Sequence, residues 1–374
     1  MTDFLIIGAG VSGLLLAREL LKAGASVCVV DKSDAGREAS WAGGGIVSPL
    51  YPWRYSDSVT ALANHAQNAY PTLVADLFSE TGIDSQLSPT GLLMLDADDR
   101  AEALAWAAFH GRSMHALDSD DICHREPLVA ADFRHALWMP DVANVRNPRL
   151  LKALRASVMS SPAASLIEHC EVQLIDQAEG AVSQIRVSID GVQKFLRADQ
   201  YVVTAGAWSA DLLSGLVARP PIIKPVKGEM LLYRSDRPLL KTIVLSKGRY
   251  LIPRADNLIL AGSTLEHCGF DKKVSDSAKK SLTQSAIGIL PALADMPVVG
   301  HWAGLRPGAA AGVPYIGRMP GFRNLSLNAG HYRNGLVLAP ASARLMADIL
   351  LGRPTLVDPA PYDPAHAHDR DAAF

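Results

Sequence analysis

The chain has 374 residues, 49% of them hydrophobic, which exceeds one typical globular domain and supplies apolar surface for a substantial core. Lysine and arginine total 36 against 38 aspartate and glutamate, so the formal net charge is -2. That balance excludes a chain-wide positive field of the kind that gathers nucleic acid or an anionic membrane, and leaves a small molecule as the expected partner.

The run Asp3-Phe4-Leu5-Ile6-Ile7 is short, apolar and β-rich, and predicts a strand. It leads through GAGVSG into a helical pattern at Leu14, Leu15, Ala17, Leu20 and Leu21, which Gly24 ends. A second buried strand, Val27 to Val30, stops at Asp31, so the chain opens as a β-α-β unit of a parallel sheet. Helical spacing runs from Ser56 to about Thr81, and Gly91 to Leu95 then reads as a strand of a different region. Residues 86–145 mix short strands and helices, including the amphipathic stretch Asp98 to His110, and suit a second domain inserted into the first. A helix from Leu150 to Met159 and a strand Tyr201 to Thr204, breaking at Ala205-Gly206-Ala207-Trp208, return the chain to the nucleotide-binding sheet.

β-rich pieces then recur at Gly228 to Tyr233, Tyr250 to Ile252 and Asn257 to Ala261, as an antiparallel sheet would require. Asn324 to Asn328, a glycine turn at Gly330 and a long apolar helix at Val337 to Leu351 close the pattern. The expected fold is therefore α/β: a Rossmann-like nucleotide-binding domain with an interleaved α+β substrate-binding domain built on an antiparallel sheet. The expected boundaries are 1–85, 146–220 and 301–364 for the first and 86–145 and 221–300 for the second. The stretch after Pro359 looks too polar and proline-broken to pack, and 365–374 is read as a flexible tail.

The start of the chain carries Arg18, Glu19 and Lys22 and no small-residue cleavage pattern, so it reads as fold, not as a signal peptide. No apolar run approaches the roughly 20 residues needed to cross a bilayer, and a cytoplasmic location is expected. Cys28, Cys123, Cys170 and Cys268 lie far apart and match neither a zinc pattern nor a disulfide framework. His65, His110, His115 and His301 show no paired ligand spacing, and no metal is expected.

Gly8, Gly10 and Gly13 form G-x-G-x-x-G between a strand and a helix. The first permits the tight turn, the second admits a pyrophosphate, and the third allows helix and strand to touch. Val11 and Ser12 open the helix, whose amides and dipole favour an anion. Asp31, followed by Lys32, stands where an acid accepts from an adenosine ribose. This constellation marks a dinucleotide site and leaves FAD or NAD undecided.

Four further motifs are GREASWAGGG (Gly36 to Gly45), TAGAWS (Thr204 to Ser209), WAGLRPG (Trp302 to Gly308) and GHYRNG (Gly330 to Gly335). Together they resemble the D-amino-acid oxidase family of FAD-dependent amine oxidases, most closely its glycine-oxidising branch, over nearly the whole chain. The resemblance implies FAD, with Arg37, Ala39, Ser40, Gly43, Gly44, Gly45 and Ile46 along the diphosphate and ring. It adds Val172, Ala205, Gly206 and Trp208 to the cofactor's surroundings. Gly330, His331, Tyr332, Arg333, Asn334, Gly335 and Leu336 are implied at the pyrimidine edge.

By the same resemblance Arg306 grips the substrate carboxylate, a role suited to a planar fork that keeps its charge. Tyr250, in SKGRYLIPR, is implied to donate to that carboxylate. Arg333 matches a position near the substrate, with ring contact or a structural ion pair as alternatives. The sequence departs from the best-known members at Gly248, where a histidine would stand, and at Leu265 and Ile46, where methionines would line the pocket. A roomier pocket that admits sarcosine or D-proline is the expectation. Trp41 and Trp53 either line an entrance or fill core.

Some relatives bond flavin to a cysteine after the WAGLRPG-like region; none lies between Arg306 and the C-terminus, so the flavin is expected to be non-covalent. The implied reaction dehydrogenates a small amino acid or amine, reduces dioxygen to hydrogen peroxide, and takes place in a homo-oligomer, commonly a tetramer. Two other readings stay open: a D-amino-acid dehydrogenase that passes electrons to a quinone, and a binding protein whose FAD is structural.

Overall fold

A computed structural model describes residues 2–217 and 219–366. Its first sheet has six strands in the order Tyr315–Arg318, Leu325–Ala329, Ala198–Val203, Thr2–Ile7, Val27–Val30 and Ala164–Ile167. All neighbours run parallel except Tyr315–Arg318, which is antiparallel at one edge. The central strands are apolar at every position because both faces are covered, and alternate residues enter different cores. Phe4 and Ile6 meet the helices Val11–Lys22, Asp57–Thr81, Asn147–Met159 and Gly335–Leu351. Leu5 and Ile7 meet a layer that includes Val182, Ile185 and Val187.

That layer is a three-stranded antiparallel sheet, Cys170–Ala178, Ala181–Ile189 and Val192–Leu196, which the sequence reading passed over. Its strands keep one face in water, so polar residues interrupt them as they would a loop.

The helix Gly335–Leu351 contains Pro340, whose missing N–H leaves the Leu336 carbonyl without its intrahelical donor. The Tyr70 hydroxyl donates to that carbonyl at 2.6 Å, so the fold repairs the gap from a neighbouring helix. The expectation that no segment approaches membrane-spanning length is corrected here: Tyr332–Leu351 has 20 residues and hydropathy enough to span. Two-thirds of it is buried, because a helix in the centre of a layered core is apolar nearly all round.

The second sheet has eight strands in the order Val298–Gly308, Lys224–Arg234, Leu258–Gly262, Arg249–Pro253, Ile243–Ser246, Leu92–Leu95, His135–Met139 and His115–Asp118. It is antiparallel throughout save for the parallel pair Ile243–Ser246 and Leu92–Leu95. The expected boundary at 301 falls inside Val298–Gly308, which pairs with Lys224–Arg234 as far as Gly308. WAGLRPG is thus part of a strand, and Pro307 is tolerated because the strand lies at the sheet edge.

The expected unpacked tail is corrected as far as it is described. Tyr362 is buried and its hydroxyl donates to the Ser58 carbonyl at 2.6 Å, while Pro364 seats against Gly317. One aromatic anchor is enough to hold a polar segment down. Residues 367–374 lie outside the described residues.

Candidate active site

A cavity of about 700 Å³ runs from the glycine loop after Thr2–Ile7 to the edge of the eight-stranded sheet. At its first end Gly8 has φ +114°, and a Cβ there would stand 2.6 Å from the Thr204 carbonyl oxygen. A Cβ on Gly13 would stand 1.9 Å from the Gly8 carbonyl oxygen, so the helix meets the strand only because residue 13 is glycine. One Asp31 carboxylate oxygen accepts from the Ala9 amide at 2.7 Å and the other from the Ser33 amide at 2.9 Å, which fixes the loop. The Ser40 hydroxyl accepts from the Val11 amide at 3.0 Å. The first intrahelical bond is Leu14 N–H to Gly10 O at 2.9 Å, so the amide of the cavity-lining Ser12 precedes it and has no acceptor among the described residues, as an anion site at a helix start requires.

Of the residues expected around the cofactor, Gly8, Gly10, Val11, Ser12, Asp31, Lys32, Arg37, Ala39, Ser40 and Gly43 through Ile46 line this cavity. So do Val172, Ala205, Gly206, Trp208, His331, Tyr332, Arg333, Gly335 and Leu336. Gly13, Gly330 and Asn334 do not. Gly13 is spent on the helix-strand contact, and Gly330 turns the chain at φ +82° where a Cβ would meet Ala309 and Tyr315. Asn334 is buried at the start of Gly335–Leu351, behind the lining residues. Lys32 Nζ sits 3.3 Å from the centre of the Trp208 ring, a cation held over one wall of the site.

At the other end of the cavity stand Tyr250, Met230, Gly228 and Arg306. The Arg306 guanidinium donates through Nη1 to the carbonyls of Lys227 at 3.3 Å and Thr264 at 3.2 Å, and through Nη2 to the Ser263 hydroxyl at 2.6 Å. Among the described residues it has no carboxylate partner. Burial pulls its pKa below the usual arginine range, as it does for a cation without a protein counter-ion. Gly228 makes its position possible, since a Cβ there would lie 2.2 Å from Nη2. The Tyr250 hydroxyl points to Met230 Sδ at 3.4 Å, and its ring lies against Gly44.

Arg333 lines the cavity but is exposed, and it makes no ion pair among the described residues. Leu265 is corrected: it is 48% exposed and is not on the cavity wall. Its neighbours Thr264 and Glu266 are bonded to Glu229 and Lys227, and Leu265, between them in the segment that follows the strand Leu258–Gly262, faces solvent. Ile46 does line the cavity. Gly248 does not, and its amide donates to the Tyr51 hydroxyl at 3.2 Å. Trp41 packs edge-on against Trp302, and the Trp53 indole donates to Asp99 at 2.7 Å; neither lines the cavity.

The sequence reading missed Gly228 and Asn147. Asn147 donates to the Ser40 carbonyl at 2.7 Å and so braces the lining segment. For Gly228 a signal existed: a glycine inside an apolar strand marks a place where another group comes close.

His331 is buried and shares a 3.0 Å hydrogen bond with the Ser342 hydroxyl. Burial lowers its pKa to about 4, so the folded protein holds it neutral while the unfolded chain protonates it near its ordinary value. Its contribution to stability is therefore complete above the unfolded pKa and is lost as pH falls toward about 4. Between pH 6.5 and 4 the unfolding free energy should drop by roughly 3 kcal/mol more in the parent apoprotein than in His331→Asn. Denaturant titrations at both pH values check this, and parallel pH slopes in the two proteins would refute it.

The family model described as FAD dependent oxidoreductase matches residues 3–349. The chain belongs to this D-amino-acid oxidase family. A glycine oxidase of Pseudomonas putida is 52% identical over 359 residues, covering 96% of this chain and 97% of that one. The crystal structure of glycine oxidase from Geobacillus kaustophilus superposes with a TM-score of 0.90 at 31% identity, covering 97% of this chain and 98% of that one. An iminodiacetate oxidase from Chelativorans sp. BNC1 superposes with a TM-score of 0.85 at 27% identity, covering 97% and 99%.

FAD is the family's cofactor, and the site suits it. The glycine cradle at Gly8 and Gly13 and the free first-turn amides fit a diphosphate, and Gly43 to Gly45 let the backbone approach a flat ring. Arg306 and Tyr250 stand in the same cavity.

Proposed function

We propose that this oxidoreductase dehydrogenates glycine and, with it, small amines and D-amino acids such as sarcosine, D-alanine and D-proline. The products are the oxo acid, ammonia or an amine, and hydrogen peroxide. One observation carries the reading: a cavity-lining guanidinium, Arg306, that has no carboxylate of its own among the described residues. A charge brought out of water is costly unless something pairs it, and a substrate carboxylate supplies that partner through two charge-assisted bonds.

Arg306 fixes one end of the substrate, and Tyr250 turns its hydroxyl from Met230 to the same carboxylate. Met230, Ile46 and the Tyr250 ring bound an apolar space that favours small side chains. The amine enters neutral, having given its proton to solvent, so the chain supplies positioning and not a base. FAD held along Gly43 to Gly45 would supply the hydride acceptor and the route of the electron pair to dioxygen, while Arg306 and Tyr250 hold the substrate in place. The imine then hydrolyses in water. Similarity to glycine oxidases supports glycine as a substrate, and the iminodiacetate oxidase supports tolerance of a secondary amine.

The test is an anaerobic panel of glycine, sarcosine, D-alanine and D-proline mixed with the purified yellow protein. Rapid bleaching by at least one, and equimolar peroxide when air is admitted, is the expected result. Bleaching without peroxide would move the acceptor from oxygen to a quinone, and a colour that none of the four discharges would end the proposal.

A further inference from the structure

Arg254 follows the strand Arg249–Pro253 and carries no role in the reading above. Its Nη1 donates to Asn144 Oδ1 at 2.7 Å and to the Val145 carbonyl at 3.0 Å, and its Nη2 donates to the Gly44 carbonyl at 2.8 Å. Every one of these acceptors is neutral. The acid that acts on it, Asp256, is held by Arg146 at 2.8 Å, and Arg146 itself repels Arg254. Desolvation, with that repulsion added, brings the Arg254 pKa down to about 10. A fold that only needed to staple these segments would do so more cheaply with an amide side chain.

The Gly44–Gly45 segment it grips is part of the cavity wall. Gly44 has no room for a side chain beside Tyr250 and Ile252, and Gly45 has φ +78° with the Val145 carbonyl 2.1 Å from where its Cβ would stand. The Gly45 carbonyl accepts from the Val145 amide at 2.8 Å, so both carbonyls of this segment are turned away from the cavity side. In a trans peptide the C=O and N–H point in opposite directions. Holding the Gly44 oxygen toward Arg254 therefore turns the Gly45 N–H the other way, and among the described residues that amide has no acceptor. A hydrogen bond from a cation to the carbonyl also polarises the peptide and strengthens its N–H as a donor.

We propose that Arg254 is a positioning residue for the cofactor: it locks the Gly44–Gly45 peptide with its amide toward bound FAD, and its charge favours the reduced, more negative cofactor over the oxidised one. The inference does not depend on which amine is the substrate.

Two variants test it, Arg254→Met, which keeps length and removes charge, and Arg254→Lys, which keeps charge and removes the fork. FAD affinity is read by titrating apoprotein with FAD, and the two-electron potential by reduction against a reference dye without any amino acid. In Arg254→Met, FAD should bind at least tenfold more weakly. Reduced FAD should lose a further tenfold relative to oxidised, which lowers the potential by about 30 mV. Arg254→Lys should recover the potential but not the affinity. A folded Arg254→Met with affinity and potential both within twofold-equivalent of the parent overturns the proposal. Should Arg254→Met fail to fold, an FAD affinity unchanged in Arg254→Lys overturns the positioning role on its own.

Discussion

Replacing Arg306 by alanine is expected to lower kcat/KM for glycine or sarcosine by well over tenfold while the bound flavin keeps its spectrum. On the proposed reading this cavity-lining guanidinium pairs with the substrate carboxylate, and truncating one partner of a buried charge pair costs about 2 to 5 kcal/mol. The loss should fall mainly on KM, because the carboxylate is gripped in the ground state as well as in the transition state. Arg306→Lys should recover little, since an ammonium cannot reproduce a planar fork already committed to the Lys227 and Thr264 carbonyls on one side. Gly228→Ala offers an independent route to the same defect. Its new Cβ would stand 2.2 Å from Nη2 and must drive the guanidinium aside without removing its charge. Steady-state kinetics on the three variants decides the matter, and an Arg306→Ala enzyme with kcat/KM within twofold of the parent would show that the carboxylate binds elsewhere.

The parts of this site that are legible in sequence are those whose chemistry is local. Gly8, Gly10 and Gly13 announce themselves because strand, turn and helix are contiguous, and the cradle they form is the one found. The cavity ends at Arg306 and Tyr250 were reached only through a resemblance, since nothing in spacing links residues from two strands of another sheet. Arg254 and Gly228 escaped because their meaning arises where strands far apart in the chain converge: Arg254 grips Gly44, and Gly228 makes room for Arg306. The glycines and proline of WAGLRPG hide the strand Val298–Gly308 from a propensity reading, yet an edge strand accepts both. Leu265 was placed on the wall by the resemblance alone, and its 48% exposure overrules that placement.

The second large effect is expected at the helix start, where Gly13→Ala should damage the protein even without cofactor. The added Cβ would stand 1.9 Å from the Gly8 carbonyl oxygen and 2.7 Å from Thr204 Oγ1. Neither atom is the loose end of a side chain. The Gly8 carbonyl belongs to a loop whose amide is bonded to Val30 O at 2.8 Å, and the Thr204 hydroxyl donates to that same carbonyl at 2.7 Å. The helix must therefore lift, against Leu14 and Leu16, which are fully buried beneath it. Overpacking of this kind costs about 1 to 3 kcal/mol in the apoprotein. Lifting also withdraws the first-turn amides from the diphosphate, so FAD affinity should fall at least tenfold. Gly10→Ala separates the two consequences, because its Cβ would approach only the Ser40 hydroxyl, at 3.2 Å, which needs to give by a few tenths of an ångström and can do so while still accepting from the Val11 amide. That variant should keep the thermal stability of the apoprotein and lose affinity for FAD alone. Melting of both apoproteins, followed by FAD titration, reads the contrast, and an apo Gly10→Ala as destabilised as apo Gly13→Ala would mean that the glycine loop is a packing device before it is a cofactor cradle.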